Sequence, residues 1–210
     1  MQVRQGGEVP SGRSFTGEAR RSQIIAATIE TIADLGYGQA SFARIAERAG
    51  LSSTRLISYH FAGKDELMSA AVAEVYDHIG RFMTARMAGV TCARDALRTY
   101  ITALVGYIAD NRSRMRAMME IFLNFRGEDG ASHSYDAGSE NAAIGHVQRI
   151  LRDGQRSGEF RHFDTFVMAA TVQRALDGLP FLLETKPDLD LTACAGELVT
   201  LFDLATRNEP

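Results

Sequence analysis

Apolar residues recur at helical spacing along almost the whole chain, and glycines interrupt the pattern at short intervals near its start. Ile25, Ile29, Ile32 and Leu35 fall on one helical stripe that stops at Gly36. Phe42, Ile45, Ala46 and Ala49 form a second stripe, opened by the capping residue Ser41 and closed by Gly50. No segment alternates apolar and polar residues long enough to argue for a sheet. The pattern predicts an all-α chain of about nine helices, over 17–35, 42–49, 53–60, 64–87, 92–110, 112–126, 139–156, 165–184 and 191–206. Residues 127–137 read as an exposed loop, and Pro187 breaks the chain before Asp190 caps the last helix.

Three domains follow. Residues 1–15, rich in Gly, Ser, Gln and Arg, read as a flexible arm. Residues 16–63 hold three short helices, and residues 64–210 hold the longer ones. Charge follows this division. Residues 1–64 carry eight basic and five acidic side chains, a net of +3, which leaves −6 on the rest of a chain whose total is −3. A basic head on an acidic body suits nucleic-acid binding. The two cysteines, Cys92 and Cys194, stand far apart, so neither a disulfide scaffold nor a four-ligand zinc site is expected, and both read as small buried side chains. No run of 18 apolar residues argues for a membrane span, and the N-terminus lacks the apolar segment of a secretory signal, so a cytoplasmic protein is expected.

The segment 41–67, SFARIAERAGLSSTRLISYHFAGKDEL, carries the function. Two short helices meet at a tight turn. Ala46 is small where they approach, Gly50 supplies the positive φ, and Leu51, Leu56 and Ile57 are expected to plug the joint. The second helix is dense in groups that can reach bases and phosphates: Ser52, Ser53, Thr54 and Arg55, then Ser58, Tyr59 and His60. The bland reading, two surface helices of an ordinary bundle, does not account for this density. LGYGQAS (35–41), IAERAGLS (45–52) and YHFAGKDEL (59–67) together resemble the TetR family of regulators, and LDGLPFLL (176–183) looks like that family's eighth helix. The resemblance implies a helix-turn-helix, with Ser41 and Lys64 among the residues facing DNA. It places Lys64 on a phosphate, where a helix N-terminus adds free N–H donors. His60 has two readings, a phosphate neighbour or a half-buried joint between helices. The chain carries one residue more than the commonest family spacing between Ser52 and Ile57, and Ser58 stands where the family usually has a phosphate-contacting Tyr. Base contacts therefore do not transfer by position, and Arg55 as a base reader rests on its chemistry.

In the larger domain Met, Phe and Tyr concentrate. Met83, Met87, Tyr100 and Tyr107, with Met118 and Phe122, are candidates for a ligand pocket, and Asn124, His146 and Gln173 for its polar contacts. The plain reading of any one of the apolar residues is core. The last two predicted helices are apolar on more than one side, which requires more than one packing partner. Phe166, Leu176, Leu179, Leu182 and Leu183 on one, with Leu198, Leu201 and Phe202 on the other, are expected to form a homodimer interface, as the resemblance also implies.

No histidine pair has metal spacing, and no P-loop, nucleophile elbow or dinucleotide fingerprint occurs, so no catalytic residue, metal or cofactor is expected. The reading is a DNA-binding regulator, a repressor in its simplest form. As a dimer it sits on a pseudo-palindromic operator in double-stranded DNA and is released by a small-molecule effector. The alternatives are a helical carrier or enzyme with a vestigial head, and a helical adaptor that binds only protein.

Overall fold

The fold is described by a computed structural model covering residues 12–124 and 137–208. Its α-helices are α1 (Gly12–Leu35), α2 (Phe42–Arg48), α3 (Arg55–His60), α4 (Lys64–Met87), α5 (Ala93–Asp110), α6 (Arg112–Asn124), α7 (Ala137–Ser157), α8 (Thr165–Asp177), α9 (Leu179–Thr185) and α10 (Leu191–Thr206). The all-α expectation holds. A 3₁₀ turn at Tyr37–Gln39 and an isolated antiparallel bridge between Phe160 and Arg207 complete the regular structure of the described residues.

Of the boundaries that differ from expectation, three bear on the fold. α1 begins at Gly12, inside the predicted arm, and residues 1–11 lie outside the described residues. So does most of the predicted loop, although Ala137 already belongs to α7. The helix predicted over 165–184 is two helices. Pro180 stands at the start of α9, has no N–H for the carbonyl of Leu176, and ends the ladder of α8. Together Thr165–Thr185 is long and apolar enough to cross a membrane by composition. However, Ala169, Val172, Leu176, Leu179 and Pro180 are buried inside the fold.

Apolar side chains form two cores. One gathers Ile24, Ile32, Ile45 and Ile57 from α1, α2 and α3, and Phe61 just after α3, with Leu67, Met68, Val72 and Val75 from the first half of α4. The other surrounds α5, which buries Leu97, Ile101, Leu104, Tyr107 and Ile108 and thus needs neighbours on several sides. α4, α7, α8 and α10 supply those neighbours. Packing therefore divides inside α4, near Ile79, and not at residue 64. α6 is shared, since Ala117 and Ile121 belong to the first core and Met115 to the second.

Polar contacts fix the ends. Glu159 accepts the N–H groups of Ala93 and Arg94 at 3.2 and 3.0 Å, so a carboxylate sits on the positive end of α5. Those bonds hold its pKa below the usual carboxylate range. Arg94 grips Asp203 of α10 with two bonds, at 2.5 and 2.7 Å. Cys92 caps α5 through Sγ and is half-buried, as is Cys194, so neither is the buried filler expected.

Gly154 of α7 lies under the buried Phe160 ring, and an added Cβ would come within 2.1 Å of it. Gly154→Ala should therefore cost roughly 1–3 kcal/mol through overpacking. Gly106→Ala, where a Cβ meets open space, should gain up to about 1 kcal/mol from helix propensity. Thermal melts that rank the two variants the other way would refute this packing.

Candidate DNA-binding head and ligand cavity

The tight turn after α2 is built by Gly50. With φ at +62°, it lets the Leu51 N–H reach the carbonyl of Ala46 at 2.8 Å while its own N–H reaches Glu47 at 3.0 Å. This pair of bonds closes the helix in the Schellman manner. Ser41 caps α2 by accepting from the Arg44 N–H at 3.3 Å. Gln23 of α1 donates to the Ala49 carbonyl at 2.7 Å, and Arg48 pairs with Asp34 at 2.6 Å, so α2 is pinned to α1.

α3 projects from this frame. Ile57 is fully buried, which contributes about 1.5–3 kcal/mol. Ser53 accepts from the Arg55 N–H at 3.1 Å and shapes the first turn. Ser52, Ser53, Thr54, Arg55, Ser58 and Tyr59 are all exposed. Tyr59 is 82% exposed and meets His60 edge to face at 5.1 Å. His60 is half-buried. Leu56 was expected in the joint but is 37% exposed on the outer side, because Ile57 and Leu51 already fill the space.

Lys64 opens α4. Its Nζ lies 4.3 Å from the centroid of the Tyr37 ring, a cation–π contact that sequence spacing did not suggest. Glu66 turns back to accept from the Ala62 N–H at 2.7 Å and pairs with Arg21 at 3.6 Å. Its charge is thus partly neutralised beside Lys64. Burial, then the Asp65 carboxylate, raises the Tyr37 pKa.

Tyr37 also receives the helix shared by both cores. α1 stops at Gly36 with φ at +79°, and the next amide, Tyr37 N–H, donates to Glu120 Oε2 of α6 at 3.1 Å. Asn124, expected in the pocket, is exposed at the end of α6 and donates instead to Glu120.

Beyond this joint a partly enclosed cavity of about 610 Å³ opens between α4, α5, α6, α7, α8 and α9. Met83, Met87, Tyr100, Met118, Phe122, His146 and Gln173 line it, with Met115 and Met119 of the same methionine-rich stretch, and so do Tyr76 and Asp177, which the sequence had not singled out as pocket residues. Tyr107 does not. It is fully buried, its hydroxyl bound to His78 Nδ1 at 2.9 Å and its ring against Phe82. Tyr100 stacks on His146 at 5.5 Å, and burial followed by the nearby Arg149 charge lowers the His146 pKa.

Of the expected dimer residues, Phe166, Leu182 and Leu201 are 55%, 45% and 57% exposed. Val167, Phe181 and Leu204 are exposed with them. Leu176, Leu179 and Phe202 are corrected: all three are buried within the single chain around α5, so they cannot face a partner. Leu183 and Leu198 are half-buried against the same core.

A family model described as bacterial regulatory proteins, tetR family, matches residues 24–71, which spans α2, α3 and parts of α1 and α4. The regulator BetI 1 of Chromohalobacter salexigens is 30% identical over 166 residues, 79% of this chain and 75% of that protein. Among solved structures, a transcriptional regulator from Saccharomonospora viridis in complex with choline superposes with a TM-score of 0.80. It covers 91% of this chain and 99% of its own at 20% identity. FadR from Bacillus subtilis in complex with stearoyl-CoA superposes at 0.73, with 86% and 96% covered and 20% identity. These two likenesses show the fold.

Lys64→Ala should weaken binding to specific and random DNA by a similar factor. It should also flatten the slope of log affinity against log salt by about one unit for each phosphate no longer neutralised. Arg55→Ala should cost about 1–3 kcal/mol on the preferred sequence alone. An unchanged salt slope for Lys64→Ala would show that its ammonium stays on Tyr37 and does not meet phosphate.

Proposed function

The chain belongs to the TetR family of transcriptional regulators, and we propose that it is a repressor that binds a pseudo-palindromic operator as a homodimer and lets go when an effector fills the cavity. Its being a DNA-binding regulator follows from the family, and its relatives are regulators and not enzymes. The observation that carries the ligand half is the roomy cavity beside a head that shares a helix with it. A volume of about 610 Å³ lies within the range of about 300–1,000 Å³ common for small-molecule sites.

On DNA, α3 enters the major groove with Ser52, Ser53, Thr54 and Arg55 leading. Tyr59, beside Ser58 in the usual Tyr position, takes over the phosphate contact, a role its exposure supports. Ser41, His60 and Lys64 flank the groove. Two heads on one dimer reach successive grooves about 34–36 Å apart. Phe166, Val167, Leu182, Leu201 and Leu204 form the pairing surface, a reading supported by the exposure of so many large apolar side chains on the last three helices.

Effector release runs through α6 as well as α4. α6 turns Met115, Met118, Met119 and Phe122 to the cavity and holds the head by Ala117, Ile121 and Glu120. A ligand that shifts α6 disturbs the Glu120 bond to Tyr37, and with it the start of α2. It acts only by its differential affinity for the two arrangements.

Selecting bound DNA from a random pool tests the function: an inverted repeat should emerge, and a protein without sequence preference would be a carrier or adaptor with an idle head. Leu182→Glu with Leu201→Glu should yield monomers in sedimentation and lose operator binding, and a dimer that survives both changes would exclude this surface. Glu120→Ala should speed hydrogen exchange at the Tyr37 amide. It should also shrink the loss of operator affinity on saturating the cavity by roughly 0.5–2 kcal/mol. Undiminished coupling would assign transmission to α4 alone.

A further inference from the structure

The polar wall of the cavity has a direction. Tyr100 donates its hydroxyl proton to Gln173 Oε1 at 2.8 Å, and Gln173 Nε2 donates to Asp177 Oδ1 at 2.8 Å. Arg174 donates to Asp177 Oδ2 at 3.1 Å. A carboxylate only accepts, so it fixes the amide orientation of Gln173 and hence the direction of the whole chain. Every one of these protons runs toward Asp177. What the wall offers a ligand is chiefly oxygen lone pairs, those of Tyr100 and Asp177.

The rest of the lining agrees with that polarity. Five of the chain's eight methionines, Met83, Met87, Met115, Met118 and Met119, present thioethers. Tyr76, Tyr100, Phe122 and Phe181 present ring faces and edges. Aromatic faces attract cations through the ring quadrupole. Among the described lining residues the charged side chains are Asp177 and Arg174, already bonded to each other, and burial keeps His146 toward its neutral form. An anion entering here would have to take Arg174 from Asp177 and sit in the field of that carboxylate.

Asp177 is also badly placed for the helix that carries it. It is the last residue of α8, at the negative end of the helix dipole, where a carboxylate is disfavoured. Desolvation raises its pKa, with the Gln173 and Arg174 contacts only partly opposing. A carboxylate held at the disfavoured end of its helix, on the wall of a cavity, is understood if a ligand completes it.

We propose that the effector is an amphipathic organic cation, with an ammonium head against Asp177 and Tyr100 and an apolar body among the methionines. The proposal rests on the cavity being the effector site. It differs from a fatty-acyl ligand, whose head is anionic, and from a small bare cation, which would leave the apolar volume unfilled.

Calorimetric titration of the full chain with four probes tests it: octyltrimethylammonium, octanoate, 1-octanol and choline, each below micelle-forming concentrations. Octyltrimethylammonium should bind about tenfold more tightly than octanoate or choline, and it should lower operator affinity. Asp177→Asn should erase most of that preference while leaving 1-octanol affinity and the ligand-free melting temperature nearly unchanged. Arg174→Ala, at a half-exposed side chain, should move the preference further toward the cation, which gives an independent reading should Asp177→Asn fold poorly. Octanoate binding as tightly as the cation, or a preference indifferent to both substitutions, overturns the head-group assignment and leaves the cavity reading intact. Choline binding as tightly as its octyl analogue overturns the apolar body. If none of the four binds, the proposal falls together with the cavity reading.

Discussion

Two helices, α4 and α6, link one end of the molecule to the other, and the shorter, α6, has to satisfy two cores at once. Ala117 and Ile121 are nearly inaccessible in the head, while Met115 is buried in the body. A helix of this length cannot turn about its axis without exposing one set of apolar side chains, so its freedom is reduced to small shifts. The Glu120 bond to the Tyr37 amide sits where such a shift is felt. That amide follows the left-handed Gly36 and begins the 3₁₀ turn that leads into α2. A carboxylate from a distant helix therefore satisfies a donor that a helix end leaves orphaned. The ring of the same tyrosine holds the Lys64 ammonium. One residue thus joins the cavity wall, the turn before α2 and the start of α4.

The head was legible in the sequence because its devices are local. Ser41 as a cap, Gly50 as the left-handed stop and Ile57 as the buried anchor of α3 each depend on neighbours within a few positions. The same holds for Asp164 and Asp190, which cap α8 and α10 through backbone N–H groups. The split between α8 and α9 was legible too, from the missing donor of Pro180, but the apolar stripe running through it masks the break. Leu56 misled because in a six-residue helix adjacent positions decide which side is inside, and periodicity over so short a span fixes no phase.

The cavity was legible in composition and not in arrangement. Methionine and aromatic enrichment pointed to α4, α5 and α6, yet Tyr107 and Asn124 left the site for partners 29 and four positions away. Nothing in a sequence marks that His78 will take the hydroxyl of Tyr107. Three of the eight residues expected at a dimer surface are covered within the chain for a related reason. Leu176, Leu179 and Phe202 are as apolar as Leu182 and Leu201, and only the position of α5 decides which of them are already covered. A helix apolar all round announces two partners without saying which face meets which.

The junction of α8 and α9 gathers these threads. Gln173, Arg174 and Asp177 lie at the end of α8, and Phe181 follows the Pro180 break, so much of the polar wall of the cavity and part of its aromatic lining come from nine consecutive residues. The next residue, Leu182, is exposed on the outside. An effector seated as proposed would engage, at Asp177, a segment that adjoins the apolar outer surface, and its body would lie against α6. Because packed interiors resist compression, a ligand that exceeds the cavity of about 610 Å³ would have to move its walls. In the proposed dimer the outer surface would be held by pairing, whereas the inner helix is tied to the turn before α2 by the Glu120 carboxylate. The inner helix would then be the wall left free to shift, and it is the one that packs on the proposed DNA-binding head.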